Sequence, residues 1–203
     1  MLLTDADRAR IVQAIAQAET RTSGEIYCVI CRSSGEYIVY PVGWSAAASL
    51  LVPLPAIYLT AWPAIAIYAL QLLVFGIVLL VLSNEHLRYR LVPASVRKSS
   101  AHERAVGQFA AHGLQHTELR TGVLIFVSVA ERYAEVIADS GIASKVPNAV
   151  WDEVVASLTS AIAAKRPGDG FVMAIEKCTD HLAEHFPPGA INRNELPNAI
   201  VEL

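Results

Sequence analysis

Between Glu36 and Glu85 the chain contains no Asp, Glu, Lys, Arg or His, and this uncharged block constrains the fold more than any other feature of the sequence. About 20 consecutive apolar residues carry a helix across about 30 Å of hydrocarbon. The block is long enough for two such helices back to back, from about residue 42 to 61 and from about 63 to 82, within a hairpin over 40–83. Trp62-Pro63 supplies the turn, where a proline opening a helix removes no needed hydrogen bond, and Pro53 and Pro55 predict a kink in the first span. Tyr40 and Trp44 fall near one expected interface and Tyr58 and Trp62 near the other, the depth at which amphipathic rings settle. A buried helix pair in a soluble domain is disfavoured, because a chain of 203 residues has too little other apolar surface to surround so long a stretch. About forty patterned, charged residues precede the block, which disfavours a signal peptide.

Lys and Arg occur on both flanks, as Arg8, Arg10, Arg21 and Arg32 before the block and Arg88, Arg90, Arg97, Lys98 and Arg104 after it, with none at the turn. The positive-inside bias therefore predicts that both flanks, and both termini, are cytoplasmic. Strand pairing leads to the same parity. The N-terminal flank offers one helix and one strand, and a lone strand cannot satisfy its own backbone, so its partners must come from beyond the block on the same side. Gln71, deep in the second span, is expected at the contact between the two helices, where an amide finds a partner. The absence of intramembrane charge disfavours transport.

Outside the block the chain reads as soluble. A net charge of −3 and a pI near 6.1 offer no basic field for phosphate backbones, so nucleic acid is not an expected partner. Thr4, Asp5 and Asp7 open a helix with Ile11, Val12, Ile15 and Ala18 on one face, ending near Arg21 to Gly24. Glu25 to Cys31 reads as a strand, on which Cys28 and Cys31 point to opposite faces and so cannot share a metal. These cysteines are expected to pack as small hydrophobes in a reducing compartment. Ser100 and Glu103 have capping-box spacing and start a helix with Ala105, Phe109 and Ala110 inward, closing at Gly113. Gly122 to Val129 is a continuous apolar run typical of a strand covered on both faces, and a tight turn at Ala130 to Arg132 leads to a second strand, Tyr133 to Asp139. Val150, Val154, Val155, Leu158 and Ile162 form one helical stripe. Phe171, Met173, Ala174, Cys178, Leu182 and Phe186 form another, after a break at Pro167 to Gly170. The expected fold class is α/β, a small sheet packed by helices and interrupted by a two-helix transmembrane hairpin. Residues 1–36 and 98–187 make the domain, and 188–203 form a tail.

Thr22-Ser-Gly-Glu-Ile26, the helix ending in Phe109, and Thr121-Gly-Val-Leu-Ile-Phe-Val-Ser128 through Glu131-Arg132 to Ala138-Asp139-Ser-Gly-Ile142 resemble the TPM-domain family. Trp151 and Leu182-Ala-Glu-His-Phe-Pro187 extend the resemblance. With a hairpin inserted after the first strand, the chain is similar to a bacterial group of membrane proteins, which implies the inner membrane. For some TPM domains the resemblance implies acid phosphatase activity or calcium binding through acidic side chains at loop ends. Here Arg120-Thr121 stands where relatives often have Asp-Asn, Ala130 replaces the first acid of an Asp-Asp-Arg turn, and Pro147-Asn148 replaces Thr-Asp. Calcium takes six to eight oxygens, usually with several carboxylates, so the set is depleted.

The remaining acidic candidates for a metal site are Glu25, Glu131 and Asp139, all at strand ends. His181-Leu-Ala-Glu-His185 fits the H-x-x-E-H zinc pattern but has too little chain after it for a third-ligand helix, so a solvated helix face is expected. Nothing in the spacing brings His102, His112 and His116 together. No nucleophile with its base, phosphate loop or nucleotide fingerprint is recognisable. The expected function is a binding or assembly role without catalysis and without a bound cofactor, in contact with membrane lipid and another membrane protein. The alternative is a divergent, calcium-linked acid phosphatase using the three carboxylates.

Overall fold

The computed structural model describes residues 2–188 and 194–203, so Gly189 to Arg193 of the expected tail lie outside the described residues. The chain divides into two compact units, Met1–Ser34 with Lys98–Leu203, and Gly35–Arg97.

The first unit is built on a four-stranded sheet in the order β3-β2-β1-β4, from β1 (Glu25–Cys31), β2 (Gly122–Ser128), β3 (Tyr133–Ala138) and β4 (Ile200–Glu202). β1 pairs in parallel with β2, from Glu25 opposite Gly122 to Cys31 opposite Ser128, and in parallel with β4 on its other side. β2 and β3 form an antiparallel hairpin. Every residue of β1 and β2 is buried, as their unbroken apolar runs predict for strands covered on both faces. Ile26, Cys28 and Ile30 face α1 (Asp5–Glu19) and the helices α8 (Asn148–Ala163) and α9 (Pro167–His185). Tyr27, Val29 and Cys31 face the opposite layer, formed by α6 (Ala94–Ala111) and a 3-10 turn at Leu114–His116. Cys28 and Cys31 thus point to opposite faces, both reduced.

Several boundaries differ from the sequence reading, each for a local reason. α1 carries the expected start, with a reciprocal Thr4/Asp7 capping box, but Val12 turns outward and Ile11, Ile15 and Ala18 make the contact. α6 begins at Ala94 instead of Ser100, so Ser99 and Glu103 bond to one another inside the helix. Its inward stripe is Ala101, Ala105 and Phe109, whereas Ala110 is exposed. Pro167 to Gly170 is the first turn of α9, not a break, because Pro167 lacks only an N–H that a first turn leaves unpaired anyway. A short helix, α7 (Ser140–Ala143), follows β3.

The main omission is β4, which lies in the expected tail. Its three residues are too few to show a period, and it is held from outside its own segment. Leu203 N–H donates to Ile30 O and Arg32 N–H to Leu203 O, each at 3.0 Å. Glu202 accepts from Leu2 N–H at 2.7 Å and from the Arg8 guanidinium, which ties both ends of the described chain to β1.

The second unit contains α2 (Val39–Leu51), α3 (Pro53–Leu59), α4 (Ala64–Leu82) and α5 (Glu85–Leu91). Val39–Leu59 and Ala64–Leu82, at 21 and 19 residues with mean hydropathies of 1.5 and 2.8, are long and apolar enough to cross a membrane. The expected kink is a division at Val52, with Pro53 opening α3. α2 presents Pro41, Ser45 and Ser49 as its buried stripe, four residues apart. Ser45 and Ser49 return their hydroxyls to Pro41 O and Ala46 O of their own helix, leaving a small, satisfied surface for close packing. α2 and α4 are in contact. On α4 the half-buried positions are spaced as one face and include Ile67, Gln71, Val74 and Val78, so Gln71 lies on that stripe.

Gly122 opens β2 where the backbone of the 3-10 turn crosses it. A Cβ at this position would sit 2.5 Å from Leu114 O, and a backbone oxygen cannot step aside as a side chain can. Gly122→Ala is expected to destabilise the full chain by about 1–3 kcal/mol, read as a lower denaturant midpoint with an unchanged slope.

Candidate functional site

Strand direction sorts the acidic candidates into two places. Glu25 starts β1, opposite Gly122 at the start of β2, and Asp139 follows β3, donating its N–H to Gly122 O at 2.9 Å. Both therefore lie at one end of the sheet. Glu131 lies in the turn after β2, at the other end. With seven residues in β2 at about 3.3 Å each, the two ends are about 20 Å apart. The structure therefore does not bring Glu25, Glu131 and Asp139 together, which corrects the expectation of one three-carboxylate site. Period and run length locate strand ends but do not say which ends coincide.

Glu131 is the centre of a buried polar cluster where parallel β1 and β2 both terminate, the edge at which open α/β sheets place their sites. Its carboxylate accepts from Ser33 Oγ at 3.2 Å, from Ser34 N–H at 3.1 Å and from Ser128 Oγ. Ser34 Oγ donates to Ser128 Oγ at 2.8 Å, and the Cys31 thiol to the same oxygen at 3.3 Å. Glu131 and Ser128 are buried. The donors fix the carboxylate as an internal acceptor that ties the loop after β1 to the β2–β3 turn. A cavity of about 390 Å³ opens beside it, lined in part by Ser128, Arg132, Tyr133, Thr159 and Ile162. Ser33, Ser34 and Ser128 escaped the sequence reading. Their signal, hydroxyls at the carboxyl ends of two strands, acquires meaning only once those strands are known to be parallel neighbours.

At the opposite end Asp139 caps α7, accepting from Ser140 N–H at 2.6 Å and Ser140 Oγ at 3.1 Å. Its other oxygen has Arg120 Nη1 at 3.9 Å. Arg120 adopts a left-handed backbone, φ 55°, a conformation that suits Asn and Asp better than Arg. A cation therefore stands beside Asp139 where a second carboxylate would serve calcium. Glu25 accepts from Glu195 N–H at 3.2 Å. Burial raises its carboxyl above the ordinary value of 4.5, and Glu19 and Glu195 add repulsion, against the lowering by backbone donors at Glu195 and Leu196. Glu19, also raised by burial, accepts from the Asn198 amide at 2.8 Å. The two acids hold the segment that leads into β4.

Among the described residues, no group of three His, Cys, Asp or Glu side chains is placed to hold a metal ion. His181 and His185 lie on α9 on either side of buried Leu182. His102 bonds both oxygens of Glu135 at 3.0 Å, whereas His112 contacts Gln108 and stacks on Tyr27, so the histidines do not gather. Burial pushes the Cys178 thiol up to about 12 and raises Cys28 well above its usual value, which leaves both protonated and inert.

A mixed sheet between two helical layers, with its first strand separated in sequence from the rest by an apolar block, defines a three-layer α/β module. Residues 84–181 of the chain match the family model described as the TPM domain. The chain is also similar in fold to the NMR structure of the BA42 protein from the psychrophilic bacterium Bizionia argentinensis, with a TM-score of 0.63 and 22% identity over 98% of this chain and 94% of that one. No curated protein matches it in sequence.

Two substitutions test these assignments. Glu131→Ala strands the Ser34 N–H and the Ser128 hydroxyl in a buried site, so denaturant unfolding should show a loss of about 1–3 kcal/mol. Glu25 has a folded-state value raised above 4.5, so its contribution to stability is complete below that value and is lost as pH rises through the folded one. Glu25→Gln retains an oxygen for Glu195 N–H and removes that loss. Its melting temperature should exceed the parent's at pH 7 and converge with it near pH 4.

Proposed function

We propose that this chain is an integral membrane protein whose two-span hairpin holds a TPM domain at the cytoplasmic face of a bacterial inner membrane, where the domain binds or helps assemble another membrane protein without catalysis. The observation that carries the non-catalytic reading is the commitment of the acids. Glu131 is saturated by Ser33, Ser34 and Ser128, and Asp139 caps a helix beside Arg120, at opposite ends of the sheet. Neither carboxylate is presented to a substrate in the company of a second one.

Support for the anchor is physical. Apart from Gln71, α4 is apolar all round and has no buried residue, with Ile65 and Leu80 more than 70% exposed, a surface that water would penalise and lipid would not. Support for the topology comes from parity: β1 precedes the hairpin, its partners β2 and β4 follow it, and a ladder cannot be shared across a bilayer. With Lys and Arg on both flanks and none at the turn, that shared side is the cytoplasm.

Reporter fusions before residue 2, at the Ala61 turn and after Leu203 should report both termini inside and the turn outside; termini on opposite sides would overturn the topology. Photo-crosslinking of the full chain in intact cells should recover a specific membrane partner. Calcium-dependent phosphate release by the purified full chain would instead favour the phosphatase alternative.

A further inference from the structure

β3 is an edge strand with a single ladder, to β2. Because Asp139 donates its N–H to Gly122 O directly opposite, the antiparallel alternation turns the backbone groups of Tyr133, Glu135 and Ile137 toward β2. Those of Ala134, Val136 and Ala138 point away from the sheet. Folded proteins blunt such an edge with Lys, Pro, a bulge or a cover. β3 has none of the first three: its sequence is Tyr-Ala-Glu-Val-Ile-Ala, and its pairing with β2 is one-to-one throughout.

Nor does another strand cover the edge among the described residues. A groove of about 470 Å³ runs along the whole of β3, walled by His102 and Val106 of α6 on one side and by Trp151, Asp152 and Val155 of α8 on the other. The side chains on the outward-bonding residues are small, and they pack toward the α8 layer, so a second backbone can approach to ladder distance. The lining contains the carboxylates of Glu135 and Asp152 and no Lys or Arg. Glu135 is held in position by His102 Nδ1 and the Tyr133 hydroxyl, each at 3.0 Å.

We propose that this groove receives an extended segment of a partner polypeptide as a fifth strand beside β3, with apolar side chains alternating with Lys or Arg. The proposal rests on the binding role above and names the chemistry of the partner. Main-chain bonds to Ala134, Val136 and Ala138 supply affinity, and the carboxylates select basic side chains. A second copy of this chain is a poor occupant, because pairing β3 with β3 would bring Glu135 and Asp152 of both copies into one groove.

The test uses the full chain, ¹⁵N-labelled in detergent micelles, with acetyl-Lys-Val-Lys-Val-Lys-Val-amide as probe and the peptide with Glu in place of Lys as control. Saturating basic peptide should slow amide exchange at Ala134, Val136 and Ala138 by at least about tenfold, with no change at the already bonded Tyr133, Glu135 and Ile137. The acidic peptide should have no effect. Val136→Pro deletes an outward donor without touching the β2 ladder and should abolish the protection. Glu135→Lys should weaken basic-peptide binding by about tenfold or more while the amide spectrum of the sheet is retained, which keeps the test informative if the proline variant does not fold. No protection by either peptide, or equal protection by both, overturns the proposal. Protection in the free chain that grows with its concentration also overturns it, in favour of self-pairing. A cellular partner crosslinked only outside the groove sinks this inference and leaves the binding role standing; peptide protection with no cellular partner does the reverse.

Discussion

The backbone of β1 must find hydrogen-bond partners on both of its edges, and the rest of the structure follows from that requirement. Seven buried residues cannot leave their N–H and C=O groups unpaired, since each would cost about 1–3 kcal/mol. The partners are β2, reached only after the whole apolar block, and β4, at the far end of the chain. The apolar block is therefore an insertion within one sheet, with paired strands on both sides of it in the sequence. The same requirement explains why so short a strand as β4 is ordered: it closes an otherwise open edge of the central strand and is secured by Glu202 to Leu2 and Arg8.

Pairing direction also decides what the acidic residues can do. Parallel β1 and β2 put Glu131 with Ser33, Ser34 and Ser128 at one end, and the antiparallel return of β3 sends Asp139 back to the other, beside Arg120 and near the start of β1. Carboxylates that satisfy loop backbones and cap helices stabilise the fold, but they are no longer available as a cluster. The acids of this domain thus satisfy donors within the fold, and a separate groove runs beside the edge of β3.

Much of the architecture was legible in the sequence because it rests on local regularities. The Thr4/Asp7 cap, the stripe of Ile11, Ile15 and Ala18, the continuous runs of β1 and β2 and the tight turn at Glu131 each express a preference of a few neighbouring residues. The differences fall at element ends and at the edges of helical faces, where local preference is weakest. Val12 lost its place on the buried face, α6 extended past its apparent cap at Ser100, and Pro167 to Gly170 continued into α9. The candidate site was less legible than the fold. Glu131 was visible as an acid in a turn, but two of its serine partners, Ser33 and Ser34, come from a segment nearly a hundred residues away.

The sequence by itself determined that an uncharged stretch long enough for two helices interrupts an α/β pattern, and that the strand before it needs partners after it. Both are consequences of chain length, periodicity and the cost of unpaired backbone. Only the tertiary structure decided which strand ends coincide, that the last residues form β4, and which backbone groups of β3 face outward. Those depend on direction and register between segments far apart in the chain, and no local preference carries that information.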